Sequence, residues 1–269
     1  MKIAVIVTTY NRPDALEAVL KGFDAQSDRG FELLVADDGS TTDTSDLIRL
    51  HAKTACYPLR QVWQEDNGFR PGAVRNLALA RTTADYVIFT DGDCIPATDF
   101  VYRHRRLAQP GFFLGGNRIL LSENFTARVL HENLPIHNWG FGLWLRAWLR
   151  RDINRLLPLL RLPDCDFRQR YPGQWEGIKT CNLSAWRKDL VYVNGFDETY
   201  SGWGLEDSDL VIRLINAGIR HKNARFATPL FHLWHRENDR SRLPDNQRRL
   251  SELLATPRIE AIQGLRQYG

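Results

Sequence analysis

The stretch Tyr86-Val87-Ile88-Phe89-Thr90-Asp91-Gly92-Asp93-Cys94 decides the fold that the rest of the chain must build. Its first residues have the length and the β-branched or aromatic content of a buried strand. A strand buried on both faces belongs to a parallel sheet flanked by helices, and such sheets bind ligands at the carboxyl ends of their strands. Asp91 and Asp93 are therefore expected at a ligand-binding edge, with Gly92 allowing the sharp turn that lets them converge.

Asp91-Gly92-Asp93 has two interpretations by itself. Two neighbouring carboxylates need a counter-charge, and a divalent cation with oxygen ligands supplies one. Asp-Gly is also ordinary turn chemistry. The motif alone leaves a metal site and a plain turn open, so the other motifs must decide.

Composition places the chain among soluble globular proteins. It has 269 residues, 43% of them hydrophobic and 25% charged, which is enough for one large domain or two small ones. The net charge of +4 suits anionic partners such as phosphates or acidic lipid. It does not indicate nucleic acid, because acidic residues interrupt any basic stripe.

Cysteine spacing and apolar runs bear on the cellular setting. The four cysteines lie far apart without a C-x-x-C pair, so neither a thiolate zinc site nor a disulfide framework is indicated. The apolar run 3–7 is too short for the core of a signal peptide, and no run of eighteen apolar residues occurs. We expect a reducing, cytoplasmic setting, with contact to the inner face of the membrane left open.

Strand and helix patterns alternate over about the first hundred residues. Strands are predicted at 3–8, 31–36 and 59–64, and helices after Pro13, at 42–53 and within 68–81. This order predicts right-handed crossovers and a parallel sheet. One edge of that sheet would carry Thr9, Asp37, Asp38, Asp91 and Asp93.

The second half has a different pattern. A strand with a glycine break is predicted at 113–121, and further strands at 177–183 and 227–234. Helices are predicted near Lys188, from the Glu206 region to about Ala217, and in the Arg-rich final segment.

Five motifs occur in the order Thr9-Tyr10-Asn11-Arg12-Pro13, Asp37-Asp38-Gly39-Ser40, Gly72-Ala73-Val74-Arg75-Asn76, Asp91-Gly92-Asp93 and Gly202-Trp203-Gly204-Leu205-Glu206-Asp207. Together they resemble the family-2 glycosyltransferases of the GT-A fold. The last motif also resembles the carboxyl-terminal half of galactosyltransferases and chondroitin polymerases. The resemblance implies an α/β fold with a Rossmann-like, mostly parallel sheet flanked by helices. Within one continuous domain, residues 1–115 would bind the nucleotide-sugar donor, and residues 116–269 would bind the acceptor and supply the catalytic base.

The resemblance also implies a metal site. Asp93, with Asp91, would hold Mn²⁺ or Mg²⁺ against the donor diphosphate, since the departing diphosphate needs its charge neutralised. His232 is the expected third ligand and His235 the second choice, and imidazole beside carboxylates suits Mn²⁺. The alternative is that both histidines are surface or core-capping residues.

The donor-binding residues implied by the resemblance are Thr9, Tyr10, Arg12, Asp37, Asp38, Arg75 and Asp91. A carboxylate of Asp37 or Asp38 would accept the uracil N3 proton and so favour uridine donors; these residues could also simply cap the next helix. Arg75 would reach the diphosphate or the donor sugar, or else be an ordinary cation on the helix surface.

Asp207 and Glu206 are the expected catalytic residues. Inverting transfer is a single displacement, so one base takes the acceptor hydroxyl proton, and Asp207 is assigned that role. Glu206 would bind acceptor hydroxyls, and Trp203 would offer a flat face for a sugar ring. The alternative is an acidic first turn such as any helix can have.

Residues 139–162 form the most unusual segment. Tryptophans, leucines and arginines alternate at helical spacing, the form of an amphipathic helix at a membrane interface. The acceptor would then be a lipid-linked or lipopolysaccharide-core sugar. The alternative is a helix that packs on the sheet or lines the acceptor groove.

The resulting functional hypothesis is an inverting, metal-dependent glycosyltransferase. It would move a sugar from a nucleotide-sugar, expected to be UDP-linked, to a saccharide or glycolipid acceptor, in bacterial cell-surface polysaccharide or lipopolysaccharide synthesis. A sugar-phosphate nucleotidyltransferase would need a glycine-rich loop with a lysine, and 8–13 contains neither. A non-catalytic sugar-binding module is the other alternative, and Asp91, Asp93 and Asp207 argue against it.

Overall fold

The computed structural model describes residues 1–237 and 239–269. Its strands are β1 (Ile3–Thr9), β2 (Phe31–Asp37), β3 (Leu59–Trp63), β4 (Tyr86–Asp91), β5 (Cys94–Pro96), β6 (Phe112–Gly115), β7 (Arg118–Leu120), β8 (Leu183–Trp186), β9 (Arg220–Asn223) and β10 (Leu230–His232). Its helices are α1 (Pro13–Asp24), α2 (Thr42–His51), α3 (Pro71–Ala80), α4 (Phe100–Leu107), α5 (Glu123–His131), α6 (Phe141–Leu149), α7 (Arg187–Tyr192), α8 (Glu206–Asn216) and α9 (Leu243–Leu254).

A central sheet has the strand order β3-β2-β1-β4-β8-β6-β9. The first four of these strands are parallel, whereas β8 runs antiparallel to both β4 and β6. A smaller sheet has the order β5-β10-β7. The predicted α/β class, with a mostly parallel sheet flanked by helices, is confirmed.

Helices cover both faces of the sheet because the inner strands are apolar on both sides. On one face Val5 and Val7 pack with the inner side of α1, and on the other Ala4 and Ile6 pack with that of α3. The strand at 86–91 is buried throughout except at its final aspartate. Strands from both sides of residue 115 share the sheet, since β6 pairs with β8 and β9.

The register of the strands brings the carboxyl ends of β1, β2 and β4 together, as predicted. Thr9 pairs with Asp37, and Thr8 pairs with Asp91. Gly92 then turns the chain, but its role differs from the one predicted, because its φ is not left-handed. A Cβ there would lie 2.8 Å from Thr9 Oγ1, and the Gly92 N–H donates to Thr8 O at 2.7 Å. Glycine is required because the backbone approaches β1 closely.

The prediction of one helix through 139–162 was wrong beyond residue 149. The α6 helix ends in a Schellman motif, in which Arg151 N donates to Trp148 O and Asp152 N donates to Ala147 O, both at 2.9 Å. Arg151 adopts the left-handed φ of 60° at the position where glycine is usual, so no sequence signal marked the end. Asn154, expected on the helix, instead accepts from Leu120 N at the edge of β7.

Two strand predictions were also displaced. Residues 180–182 form a 3₁₀ turn, and the strand begins at Leu183. The last strand is confined to Leu230–His232. Asn182 accounts for the turn, because its buried Nδ2 donates to Asn117 O and Thr228 O, and its side chain joins three segments instead of alternating along a strand.

Candidate active site

One cavity of about 860 Å³ opens at the carboxyl ends of the strands and takes residues from both halves of the chain. Asp93 and Asp207, which are distant in sequence, both line it. The other predicted site residues in its wall are Thr9, Tyr10, Arg12, Asp38, Arg75, Asp91, Trp203, Glu206 and His232. The structure therefore brings the expected donor, metal and catalytic residues to a shared space.

Asp37 lies behind this wall. Its side chain is fully buried, Oδ1 accepts from Ser40 N at 2.8 Å, and Oδ2 accepts from Gln61 Nε2 at 2.7 Å. These bonds hold the turn that follows β2 and fix the position of Asp38. A direct contact of Asp37 with the donor remains a prediction, and Asp38 is the member of the pair that reaches the cavity.

A tight loop builds the part of the cavity around Asp38 and Tyr10. Gly39 has a φ of 93°, and a Cβ there would lie 2.5 Å from Asp66 Cα, so the loop packs directly on residue 66. Asp66 in turn accepts from Tyr10 Oη at 2.9 Å. Asp38 accepts from Arg70 N at 2.8 Å, while burial raises the pKa of its carboxyl.

Asp93 and two histidines form the group best suited to hold a divalent cation. Asp93 Oδ2 lies 3.7 Å from His232 Nε2 and 3.4 Å from His235 Nε2. Neighbouring ligands of an octahedral ion with bonds of about 2.1 Å are roughly 3 Å apart, so small side-chain adjustments suffice. Burial lowers the pKa of His232, which favours the neutral imidazole that metals bind.

Arg75 joins three elements beneath the cavity and is only 4% exposed, so it is not a helix-surface cation. Its Nε donates to Thr8 Oγ1 at 2.9 Å, its Nη1 to Glu206 Oε1 at 3.1 Å, and its Nη2 to Asp91 Oδ1 at 3.1 Å. Burial by itself would lower the pKa of Arg75, but the charges of Asp91 and Glu206 outweigh burial and raise it. Asp91 therefore faces this arginine, and its contact with a metal or with the donor remains a prediction.

Asp207 stands in the first turn of α8. Its Oδ1 accepts from Ser208 N at 2.7 Å, and its Oδ2 lies 3.3 Å from Lys179 Nζ. Lys179 was missed by sequence reasoning because it lies far from any motif, in extended backbone just before the 3₁₀ turn at 180–182. The neighbouring Glu206 has its pKa raised by burial and by the charge of Asp207, against the opposing effect of Arg75.

The loop before α8 has an unusual backbone. Gly202, Gly204 and Leu205 have φ values of 71°, 103° and 78°, and such a conformation is costly for leucine. Asn246 of α9 anchors the loop, because its Nδ2 donates to Ser201 O at 3.1 Å and to Gly204 O at 2.9 Å. Trp203 lines the cavity, and Arg240 Cζ lies 4.8 Å from the centre of its ring.

Other cations that sequence reasoning missed also line the cavity. Arg118 on β7 donates from Nη1 to Cys181 Sγ at 3.5 Å, and Arg240 and Arg242 lie on the segment before α9. Together with Lys179 they add cations to a wall that also carries acidic side chains, and the planar fork of arginine suits phosphate. Isolated arginines carry no spacing signal, so only the fold could identify them.

The sheet order and the cavity at the strand ends define a protein of the GT-A fold class. The chain belongs to glycosyl transferase family 2, whose family model matches residues 4–168. A second model, described as the N-terminal domain of galactosyltransferase, matches residues 161–236. The resemblance expected from the motifs is thereby confirmed.

Curated relatives agree with this assignment. Validoxylamine A glucosyltransferase of Streptomyces hygroscopicus subsp. jinggangensis is 28% identical over 81% of this chain and 52% of its own length. Hyaluronan synthase of Pasteurella multocida is 28% identical over 80% of this chain and 23% of its own. The chain thus spans about half of the first relative and a quarter of the second.

Solved structures share the fold. The mannosyltransferase PcManGT of Pyrobaculum calidifontis, in complex with GDP-Man and Mn²⁺, has a TM-score of 0.61 at 19% identity, covering 88% of this chain and 58% of that one. TarS of S. aureus in complex with UDP has a TM-score of 0.61 at 16% identity, covering 100% of this chain and 68% of that one. Within the described part of this chain, no helix is both long and apolar enough to cross a bilayer.

Proposed function

We propose that this protein is an inverting, metal-dependent glycosyltransferase that uses a UDP-linked sugar donor and a saccharide acceptor. The observation that carries the proposal is the single cavity shared by the Asp93 and His232 cluster and the carboxylate of Asp207. Transfer to an acceptor needs both functions within reach of one sugar. The fold-related mannosyltransferase holds GDP-Man and Mn²⁺, which supports a nucleotide-sugar donor and a divalent cation here.

The donor diphosphate would lie beside Asp93, His232 and His235, the residues that would hold the cation. When bound, the cation supplies positive charge against the diphosphate as that group departs. Arg118 lines the same cavity and would add a fixed positive charge. Asp38 beside Tyr10 supports a uridine donor, since a carboxylate there can accept the uracil N3 proton.

Asp207 would take the proton from the acceptor hydroxyl. The acceptor oxygen forms a bond to the anomeric carbon while the bond from that carbon to the diphosphate oxygen breaks, and the electron pair leaves with the diphosphate. Lys179 and Ser208 N fix the carboxylate in position for this single displacement. Trp203 and Glu206 would contact the acceptor, with Glu206 also held by Arg75.

The acceptor is proposed to belong to a bacterial cell-surface polysaccharide or lipopolysaccharide. Support comes from the relatives, which include a hyaluronan synthase and a chondroitin synthase of Pasteurella multocida. The wide, charged cavity, with Trp203 in its wall, suits a hydrophilic saccharide.

Thermal unfolding with UDP or GDP, each with and without MnCl₂, tests the donor and metal sites. UDP with Mn²⁺ at about a hundred times its dissociation constant should raise Tm by about 5–10 °C. UDP without metal should raise Tm much less. Asp93→Asn should abolish the metal-dependent increase, whereas the exposed surface variant Asp46→Asn should retain it. Equal shifts with and without Mn²⁺ would contradict metal dependence.

Asp207→Asn tests the assignment of the base. Turnover with a UDP-sugar should fall by about 10²–10⁴-fold, because the proton acceptor is lost. The Tm increase with UDP and Mn²⁺ should stay, since Asp207 does not hold the nucleotide. Turnover that survives in this variant would remove Asp207 from the mechanism while leaving the donor site intact.

A further inference from the structure

The α6 helix presents two apolar faces, of which the fold uses one. Trp144 is 2% exposed and stacks on Phe231 at 4.2 Å between ring centres, and Ala147 is buried beside it. On the other side, Phe141 is 60% exposed and Leu149 68% exposed. A helix that already packs one face needs no apolar side chains on the other, so their presence indicates a contact outside the monomer.

Three exposed apolar residues and the half-buried Leu145 form a continuous stripe. Phe141, Leu145, Trp148 and Leu149 follow the i, i+4, i+7 and i+8 spacing that places side chains on one helix face. We call these four residues the α6 stripe. Leu143 is also exposed, near the arginine side of the helix.

Arginines border the stripe. Residues 139–162 contain five arginines and one aspartate, a net charge of +4 that equals the charge of the whole chain. Arg161 pairs with Asp99, while Arg146, Arg150, Arg151 and Arg155 are all exposed. A tryptophan-containing apolar stripe edged by arginines matches the chemistry of an anionic bilayer, with its acyl layer beneath phosphate head groups.

The stripe is next to the proposed catalytic cavity. A cleft of about 540 Å³ is lined by Trp148, Leu149 and Ile153, and it shares Leu120 and Leu121 with the catalytic cavity. An apolar wall therefore leads from α6 to the place where the acceptor would react.

We propose that the α6 stripe and its arginines dock the protein on an anionic lipid bilayer, so that the cavity meets the saccharide of a lipid-linked acceptor. The docking follows from the surface alone, whereas the acceptor class rests on the proposed function. A second copy of this chain fits the surface less well, because two faces that each carry four exposed arginines would repel each other.

Vesicle co-sedimentation, without nucleotide or metal, tests the docking. The full chain should pellet with vesicles of phosphatidylcholine and phosphatidylglycerol, but not with phosphatidylcholine alone, and added salt should weaken the binding. Arg146→Ala should reduce affinity about fivefold. Arg106→Ala, an exposed arginine in the last turn of α4, is the matched control and should bind as the unmodified chain does.

Leu149→Glu should abolish pelleting, because it places a negative charge in the stripe. Leu50→Glu is its control, since Leu50 is 65% exposed near the carboxyl end of α2. Urea unfolding of both variants checks that the fold is retained. Equal loss in both variants, or no pelleting of the unmodified chain with anionic vesicles, would overturn the docking. A dimer that Leu149→Glu dissociates, without vesicle binding, would show that the stripe is a self-interface and also overturn it.

The two proposals can fail separately. Vesicle binding without a UDP and Mn²⁺ response would remove the donor proposal and leave the docking. The reverse result would leave the transferase proposal and remove the docking. If both hold, turnover of a lipid-linked saccharide should exceed that of its free saccharide, and Leu149→Glu should remove the difference.

Discussion

At the scale of one residue, the buried carboxylate of Glu206 lowers the stability of the folded protein. Burial and Asp207 raise the pKa of its carboxyl despite Arg75. A raised pKa in the folded state means that this group contributes stability below about pH 4.3, its unfolded value, and that this contribution is lost as pH rises through the folded pKa. Glu206→Gln should therefore gain stability relative to the unmodified chain as pH rises above that unfolded value.

Urea unfolding at several pH values measures this difference. Glu260→Gln is a control with the opposite sign, because Arg266 lowers the pKa of Glu260. A lowered pKa contributes stability above the unfolded value, so that variant should lose stability relative to the unmodified chain as pH rises. A Glu206→Gln difference that stays constant with pH would contradict the proposed cost of the buried carboxylate.

Gly92 is a position where the addition of one side-chain atom should change stability. Gly92→Ala would place Cβ 2.8 Å from Thr9 Oγ1 and force β1 and the turn at 91–93 apart. We expect a loss of about 1–3 kcal/mol in the free energy of unfolding. Gly173→Ala, where the new Cβ meets nothing within 4 Å, should be neutral or slightly stabilising. Urea unfolding compares the two, and equal effects would reject the close-approach explanation.

At the scale of elements, α9 shapes the loop that carries Trp203. Asn246→Ala removes both bonds from α9 to the backbone of residues 201 and 204. Stability should fall by about 1–3 kcal/mol. The acceptor KM should rise while the Tm response to UDP and Mn²⁺ is retained, since Trp203 of that loop is proposed to contact the acceptor.

Asn216→Ala is the control for this prediction. Its Nδ2 donates to Arg258 O at 2.9 Å near the opposite end of α8, on an exposed surface. It should leave the acceptor KM unchanged. If Asn246→Ala altered UDP binding and left the acceptor KM unchanged, the loop would belong to the donor side instead.

At the scale of the whole molecule, residues 1–115 depend on the rest of the chain to complete their sheet. β4 is paired by β8 from Phe89↔Leu183 to Tyr86↔Trp186, and Phe89 packs on Phe196 at 5.2 Å. A fragment of residues 1–115 would expose this inner strand as an unpaired edge. We expect the fragment to show no cooperative unfolding transition in urea. Near-UV circular dichroism measures this. A sharp transition matching that of the full chain would instead show that 1–115 folds alone.

Local patterns were sufficient for the elements from β1 to β4, whereas β5 and α4 were not predicted. The apolar runs of β1, β2 and β4 and the helical spacing of α1 predict a parallel sheet, and the strand register then places Asp91 level with Thr8. The spacing of apolar residues was less informative about the elements that follow β4. Asn182 and Arg151 adopt conformations set by their tertiary contacts or by a helix end without glycine, so periodicity misplaced a strand and extended a helix.

The residues of the candidate site also divide into those that the sequence identified and those that only the structure revealed. The motifs pointed to Asp93 and Asp207, because carboxylates after strands and before helices have recognisable spacing, and the family resemblance added His232. No local pattern distinguishes Lys179 or Asn246 from other polar residues. Their roles depend on distances across the fold, 3.3 Å to Asp207 and 2.9 Å to Gly204.

The order of apolar runs and acidic motifs was by itself enough to determine an α/β chain with carboxylates along one sheet edge, because strand burial and side-chain chemistry are local properties. Only the tertiary structure decided that Arg75 joins Asp91 to Glu206, that Asp37 turns inward while Asp38 reaches the cavity, and that α6 keeps an apolar face outside. Those outcomes depend on which distant segments meet, and contacts between distant segments follow from packing the whole chain.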